Sequence, residues 1–203
     1  MVKKVLLLAV LALALPMAAF ASGSVDFSNS GGTLSGGASG LSLSGSTLTV
    51  VNGLYGGGLM VGSNLGSVSF TTGAFTSGDE KLGGTLAAGG SFTIMGNGIN
   101  GVPNGVIFQG TFTSADWIMK TLSNGTHQYV LDAIVSGTLG NGYPIEGVTV
   151  QLTANTHKGF FNGSVGLGSG DTNMAVPEPG TLSLFGTGLV GLAGLVRRKL
   201  NLV

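Results

Sequence analysis

Hydrophobic and polar positions alternate with a period of two through much of this chain, the pattern of a strand with one buried face. Val68 and Phe70 stand between Ser67, Ser69 and Thr71. Tyr129, Leu131, Ala133 and Val135 fall on one face, as do Val148, Val150 and Leu152. Val106, Phe108 and Phe112 read as a further shared face. Between the termini no long stretch sustains the 3.6-residue period of an amphipathic helix. Seven Asn-Gly pairs, at Asn52, Asn97, Asn100, Asn104, Asn124, Asn141 and Asn162, punctuate the pattern. Asn-Gly favours the tight turns that close β-hairpins. Asn124-Gly125 separates a run through Trp117 to Leu122 from a strand over Gln128 to Leu139, and Asn141-Gly142 leads into Glu146 to Ala154. This predicts a β-meander of at least three strands. Over the whole region roughly eight to eleven short strands predict an all-β domain, an antiparallel β-sandwich or jelly-roll-like fold.

Residues 22–66 are heavy in Gly, Ser, Leu and Thr and almost free of charge. Such composition suits a flexible stalk, but the alternation at Leu41-Ser42-Leu43-Ser44 and Leu48-Thr49-Val50 predicts ordered strands. Residues 166–175, rich in Gly, Ser, Asp and Asn, read as a linker.

The termini follow other rules. Lys3 and Lys4 precede an apolar stretch from Val5 to Leu15, Pro16 breaks it, and Ala19-Phe20-Ala21 places small residues where a signal peptidase reads them. Residues 1–21 are therefore expected to be a signal peptide cleaved after Ala21, since the stretch is short of the roughly 20 apolar residues that span a bilayer. At the other end, Val176-Pro177-Glu178-Pro179-Gly180 is followed by an uncharged run of 16 residues, Thr181 to Val196, and then by Arg197, Arg198 and Lys199. The run predicts a short transmembrane helix over 181–196. Basic residues beside a span stay in the cytoplasm, so the main domain is expected outside.

Polar motif, apolar span and basic stop, in that order at the C-terminus, resemble the PEP-CTERM sorting signal of exported bacterial proteins. The resemblance covers Val176 to about Lys199, and members of that group carry unrelated exported domains. It implies that Pro177, Glu178 and Pro179 are the element recognised by a membrane-embedded exosortase, and that Arg197 and Arg198, with Lys199, form the basic stop-transfer cluster. The implied partners are signal peptidase, the exosortase, the inner membrane and exopolysaccharide, because these systems tend to occur in bacteria that make it. The implied role is at the cell surface or in the extracellular matrix. The expected organisation is a signal peptide (1–21), a β-rich exported domain (22–165), a linker (166–175) and the sorting signal (176–203).

Composition narrows the exported part. With no cysteine it has no disulfide, so it depends on a packed core. Between Ser22 and Ala175, Lys81, Lys120 and Lys158 face seven carboxylates, a net charge of −4 that offers nucleic acid no basic footprint.

Candidate chemistry is sparse. His127 and His157 sit in turn-like contexts, no Gly-x-Ser-x-Gly elbow occurs, and a thiol nucleophile is excluded. Asp116 with Asp132 or Glu146 are the carboxylates a hydrolase of sugars would need in one cleft, although Asp116 reads as part of a turn before Trp117. Gly96 to Gly101 satisfies G-x-G-x-x-G without a following helix, and Gly168 to Asn173 provides too few ligands for calcium. The expectation is a non-enzymatic protein without cofactor or metal. A carbohydrate-binding module is the alternative, with Trp117 as the sugar contact if its ring is exposed, against core packing beside Ile118 and Met119. A secreted hydrolase comes third.

Overall fold

Strands of this sequence carry large apolar side chains at every second position and Ser, Thr or Asn between them, so burying one face leaves the other wet. The computed structural model describes residues 23–176, and they form antiparallel sheet almost throughout. The strands are β1 (Gly23–Ser30), β2 (Thr33–Gly37), β3 (Gly40–Asn52), β4 (Met60–Thr71), β5 (Phe75–Asp79) and β6 (Gly83–Leu86). They continue with β7 (Gly89–Asn97), β8 (Asn104–Thr121), β9 (His127–Leu139), β10 (Pro144–Asn155) and β11 (Ser164–Val176). Residues 22–66, ambiguous by composition, supply β1 to β3 and the first half of β4, as the alternation of leucines predicts.

Several strands are halves of longer ones. β1 and β2 lie end to end along β3, with Asp26 opposite Asn52 at one end and Gly37 opposite Gly40 at the other. β4 and β5 run along β7 and β6, and β6 and β7 share β8 as a neighbour. The break between β4 and β5 is held by Thr72. Its N–H donates to the Leu41 carbonyl at 2.8 Å, and its hydroxyl accepts the Leu41 N–H at 2.9 Å.

Hydrogen-bonded neighbours follow the order β8-β7-β4-β3-β1-β11-β10-β9, and β9 pairs again with β8, so the sheet returns upon itself. The antiparallel all-β sandwich expected from the sequence thus has its layers joined at their edges into one closed wall. With β1 and β2, β4 and β5, and β6 and β7 each counted as one broken strand, neighbours follow chain order apart from the pairing of the first with the last. Closure removes the long exposed edges that invite aggregation.

The core fills the interior. Phe70, Phe92, Phe108 and Phe112 pack together, with Phe92 and Phe112 meeting edge to face at 6.0 Å between centroids. Tyr129, Leu131, Ala133, Val135, Val148, Val150 and Leu152 point inward as their period predicts. Val106 does not share a face with Phe108 and Phe112. The β7–β8 register skips Ile107 and the β8–β9 register skips Thr113, so bulges leave Ile107 and Phe108 both buried and turn Val106 outward.

All seven Asn-Gly pairs place their glycine at positive φ, between 76° and 100°. The loops they close are longer than two residues. Asn124 accepts the Thr126 N–H in a β8–β9 turn, and Asn141 accepts the Tyr143 N–H between β9 and β10.

Two expectations fall here. Asp116 lies within β8 opposite Asp132, not in a turn. Residues 166–175 are not a linker but most of β11, where Thr172 and Met174 are buried and Gly170 makes room for Asn29. Small residues occur there because the strand packs closely against its neighbours.

Candidate functional site

The meander gives the domain two ends. β1 begins and β11 finishes at one, which also carries residues 53–59, 98–103 and 140–143. Residues 38–39, 80–82, 122–126 and 156–163 lie at the other. We call these the near end and the far end.

At the far end Trp117 is 1 % exposed. Its ring stacks on Tyr129 with centroids 5.1 Å apart, and Phe161 meets both edge-on. The polar tips of these rings hold the loops. Trp117 Nε1 donates to the Glu80 carbonyl at 3.0 Å, Tyr129 Oη donates to the Lys81 carbonyl at 2.6 Å, and the Phe161 N–H donates to Tyr129 Oη at 3.0 Å. Trp117 therefore cannot offer a sugar its face. The cause is the bulge at Thr113, which sets Ala115 and Trp117 on the inner side of β8.

His127 starts β9 and stacks on the exposed Phe160 at 4.5 Å, with Nδ1 3.1 Å from Thr121 Oγ1. The His127 N–H donates to the His157 carbonyl at 2.6 Å, so main chain, rather than the two imidazoles, joins these residues.

The carboxylates lie on an outer wall. Asp116 faces Asp132 across β8 and β9, and Gln151 lies between Asp132 and Asp171 across β10. Thr85 Oγ1 donates to Asp116 at 3.0 Å, and Ser28 Oγ to Asp171 at 2.6 Å. All three are exposed. Two open hollows, of about 340 and 450 Å³, lie beside Gly40 and beside His157, and neither is lined by a carboxylate. Among the described residues no group of three or more histidines and carboxylates is arranged to hold a metal. Gly96 and Asn97 close β7 and enter a turn, so the glycine pattern there cradles no phosphate.

The near end holds the start of the sorting segment. β11 lies between β10, with which it pairs as far as Asn173 opposite Thr149, and β1, and Pro177, lacking an N–H, could donate to neither neighbour. The tripeptide Pro177, Glu178, Pro179 therefore follows directly on the closing strand. Those three residues lie outside the described residues, as do Ala19, Ala21, the run 181–196, Arg197, Arg198 and Lys199. Among the described residues no helix is long and apolar enough to cross a membrane.

Sequence reading passed over the near-end loops. Residues 53–59, 98–103 and 140–143 contain no charged residue, and Tyr55, Leu59 and Ile99 in them are half or more exposed. The available signal was the absence of charge in these three loops, against Glu80 and Lys81 in 80–82 and Lys158 in 156–163.

The family model for the PEP-CTERM protein-sorting motif matches residues 175–199. The match begins at the penultimate residue of β11 and ends with the basic cluster. No curated protein and no solved structure matches the chain. A PEP-CTERM motif belongs to exported proteins sorted by exosortase-type membrane enzymes, and this chain carries one.

Proposed function

We propose that the chain is a non-enzymatic protein of the cell surface or extracellular matrix, exported behind its signal peptide, anchored by the run 181–196 and released by an exosortase acting at Pro177-Glu178-Pro179. The observation that carries this reading is the position of the motif, which starts where β11 stops. Processing anywhere beyond Val176 would remove no strand, so the released domain would keep its closed sheet and its core. Supporting a structural role, the outer wall presents Asp, Gln, Ser and Thr along its strands, and its acids line neither of the two hollows described above.

The test is Pro177→Ala with Glu178→Ala, followed by fractionation and intact mass in a host that carries an exosortase. Loss of the C-terminal peptide from the wild type, with the variant kept full-length in the membrane, is the expected result. Identical full-length membrane protein in both cases would reduce the tail to a permanent anchor and overturn the sorting step.

A further inference from the structure

The near end combines three properties that the far end does not. Its loops are uncharged, whereas Glu80, Lys81 and Lys158 lie in far-end loops and Asp79 and Lys120 close the strands beside them. Large apolar side chains are exposed on it: Tyr55 (51 %), Leu59 (65 %) and Ile99 (50 %) in the loops, with Val61 (62 %) and Val106 (41 %) at the adjoining strand ends. The sorting segment also leaves from it. Exposed apolar groups alone do not separate the ends, since Leu82 and Phe160 are exposed at the far one. Loop charge and chain connection do, since the near-end acids Asp26 and Glu146 lie in strands β1 and β10.

Tyr55 adds a fourth observation. It has φ 52° and ψ 33°, a left-handed conformation that few residues other than glycine adopt, and its neighbour Leu54 is buried. The turn thus keeps one apolar side chain inside and sets an aromatic with a polar tip outside. Tyr143, in the adjacent loop, is half-buried. Tyrosines of this kind favour the boundary between lipid and water, where ring and hydroxyl each find a suitable medium.

We propose that the near end of the domain docks on the lipid surface, with Tyr55, Leu59 and Ile99 dipping into the headgroup region of the outer leaflet. This rests on the anchoring step of the proposed function. Only Pro177 to Gly180 separate β11 from the run that enters the bilayer, and five residue steps reach at most about 18 Å. A chain tethered so closely presents whichever surface surrounds its exit point, and here the loops of that surface are uncharged and expose Tyr55, Leu59 and Ile99, with Asp26 and Glu146 confined to the adjoining strands β1 and β10. Repeated weak insertion at a high effective concentration needs no strong intrinsic affinity. Docking holds the Pro-Glu-Pro element at the membrane surface, within reach of an enzyme embedded there.

Because the chain has no cysteine, a single introduced one carries one label. Full-length protein with Leu59→Cys, Ile99→Cys, Leu82→Cys or Leu184→Cys would be labelled with an environment-sensitive fluorophore. Each variant would be reconstituted in vesicles of phosphatidylethanolamine and phosphatidylglycerol, with and without a lipid carrying a doxyl group near the headgroup. Expected is a blue shift and loss of emission at positions 59 and 99, and no change at position 82. Quenching at 184 alone would overturn docking and leave anchoring intact. Quenching at none of the four positions would overturn both. A blue shift at 59 and 99 without quenching by the doxyl lipid would mean that protein covers this end, and would also overturn the proposal.

Discussion

The two ends of the domain are closed by different chemistry. At the far end three buried aromatic rings do it, and two of them use their polar tips on the carbonyls of Glu80 and Lys81. At the near end the loops contribute aliphatic side chains, Leu54 and Val102, which are buried and make no polar contact. The difference follows from what each loop carries. A charged turn such as 79–82 cannot enter the interior, so it lies across the top and its main-chain carbonyls need donors from below. An uncharged loop can turn an apolar residue inward and leave others outside, as loop 156–163 also does with Phe161 and Phe160 while Lys158 stays in solvent. The far end is thereby tied down, and the near end is left greasy.

The sharpest way to break this comparison is Trp117→Ala. It removes the largest ring of the far-end cluster and the donor to Glu80, and a loss of about 3–5 kcal/mol in urea unfolding is expected. A loss below about 1 kcal/mol would mean that the cluster does not close that end. Leu54→Ala tests the near end by the same measurement. Its site is in a loop that can partly collapse, so a smaller cost of about 2 kcal/mol is expected. Tyr129→Phe keeps the ring and deletes one donated and one accepted hydrogen bond, which should cost about 1.5 kcal/mol. Hydrogen exchange should quicken in residues 80–82 and 160–161 and not at the near end. The smallest effect is predicted for Leu59→Ser with Ile99→Ser. Their side chains face outward, so thermal stability should stay within about 0.5 kcal/mol of the wild type while vesicle contact is lost. A large drop in melting temperature would place them in the core and remove the contrast between the ends.

Much of the fold was readable because it is local. The runs Tyr129 to Val135 and Val148 to Leu152 fix which face of β9 and β10 is buried, and tertiary structure could only agree. Asn-Gly marks chain reversal through its own torsional preference, which holds in any surroundings. The readings that failed did so at bulges and at close contacts. Ile107 and Thr113 each add one residue to β8, so Val106 turns out, while Trp117 turns in as core packing beside Ile118 and Met119 requires. One extra residue flips every later side chain, and nothing in the composition of those residues announces it. Likewise β11 looks like a linker because its glycines and serines are small. Gly170 has no side chain because Leu152 and Asn29 occupy that space, a fact belonging to three strands rather than one.

The sequence by itself determined the all-β character of this protein, the sites of most turns, and the sorting signal with its motif, apolar run and basic stop, because each depends on residues adjacent in the chain. Only the tertiary structure decided that the sheet closes, that residues 164–176 are its closing strand, that Trp117 is buried, and that the uncharged loops gather at the end where the sorting signal begins. Those outcomes depend on pairing and packing between residues far apart in the chain, and a periodicity read along one segment holds no record of its partners.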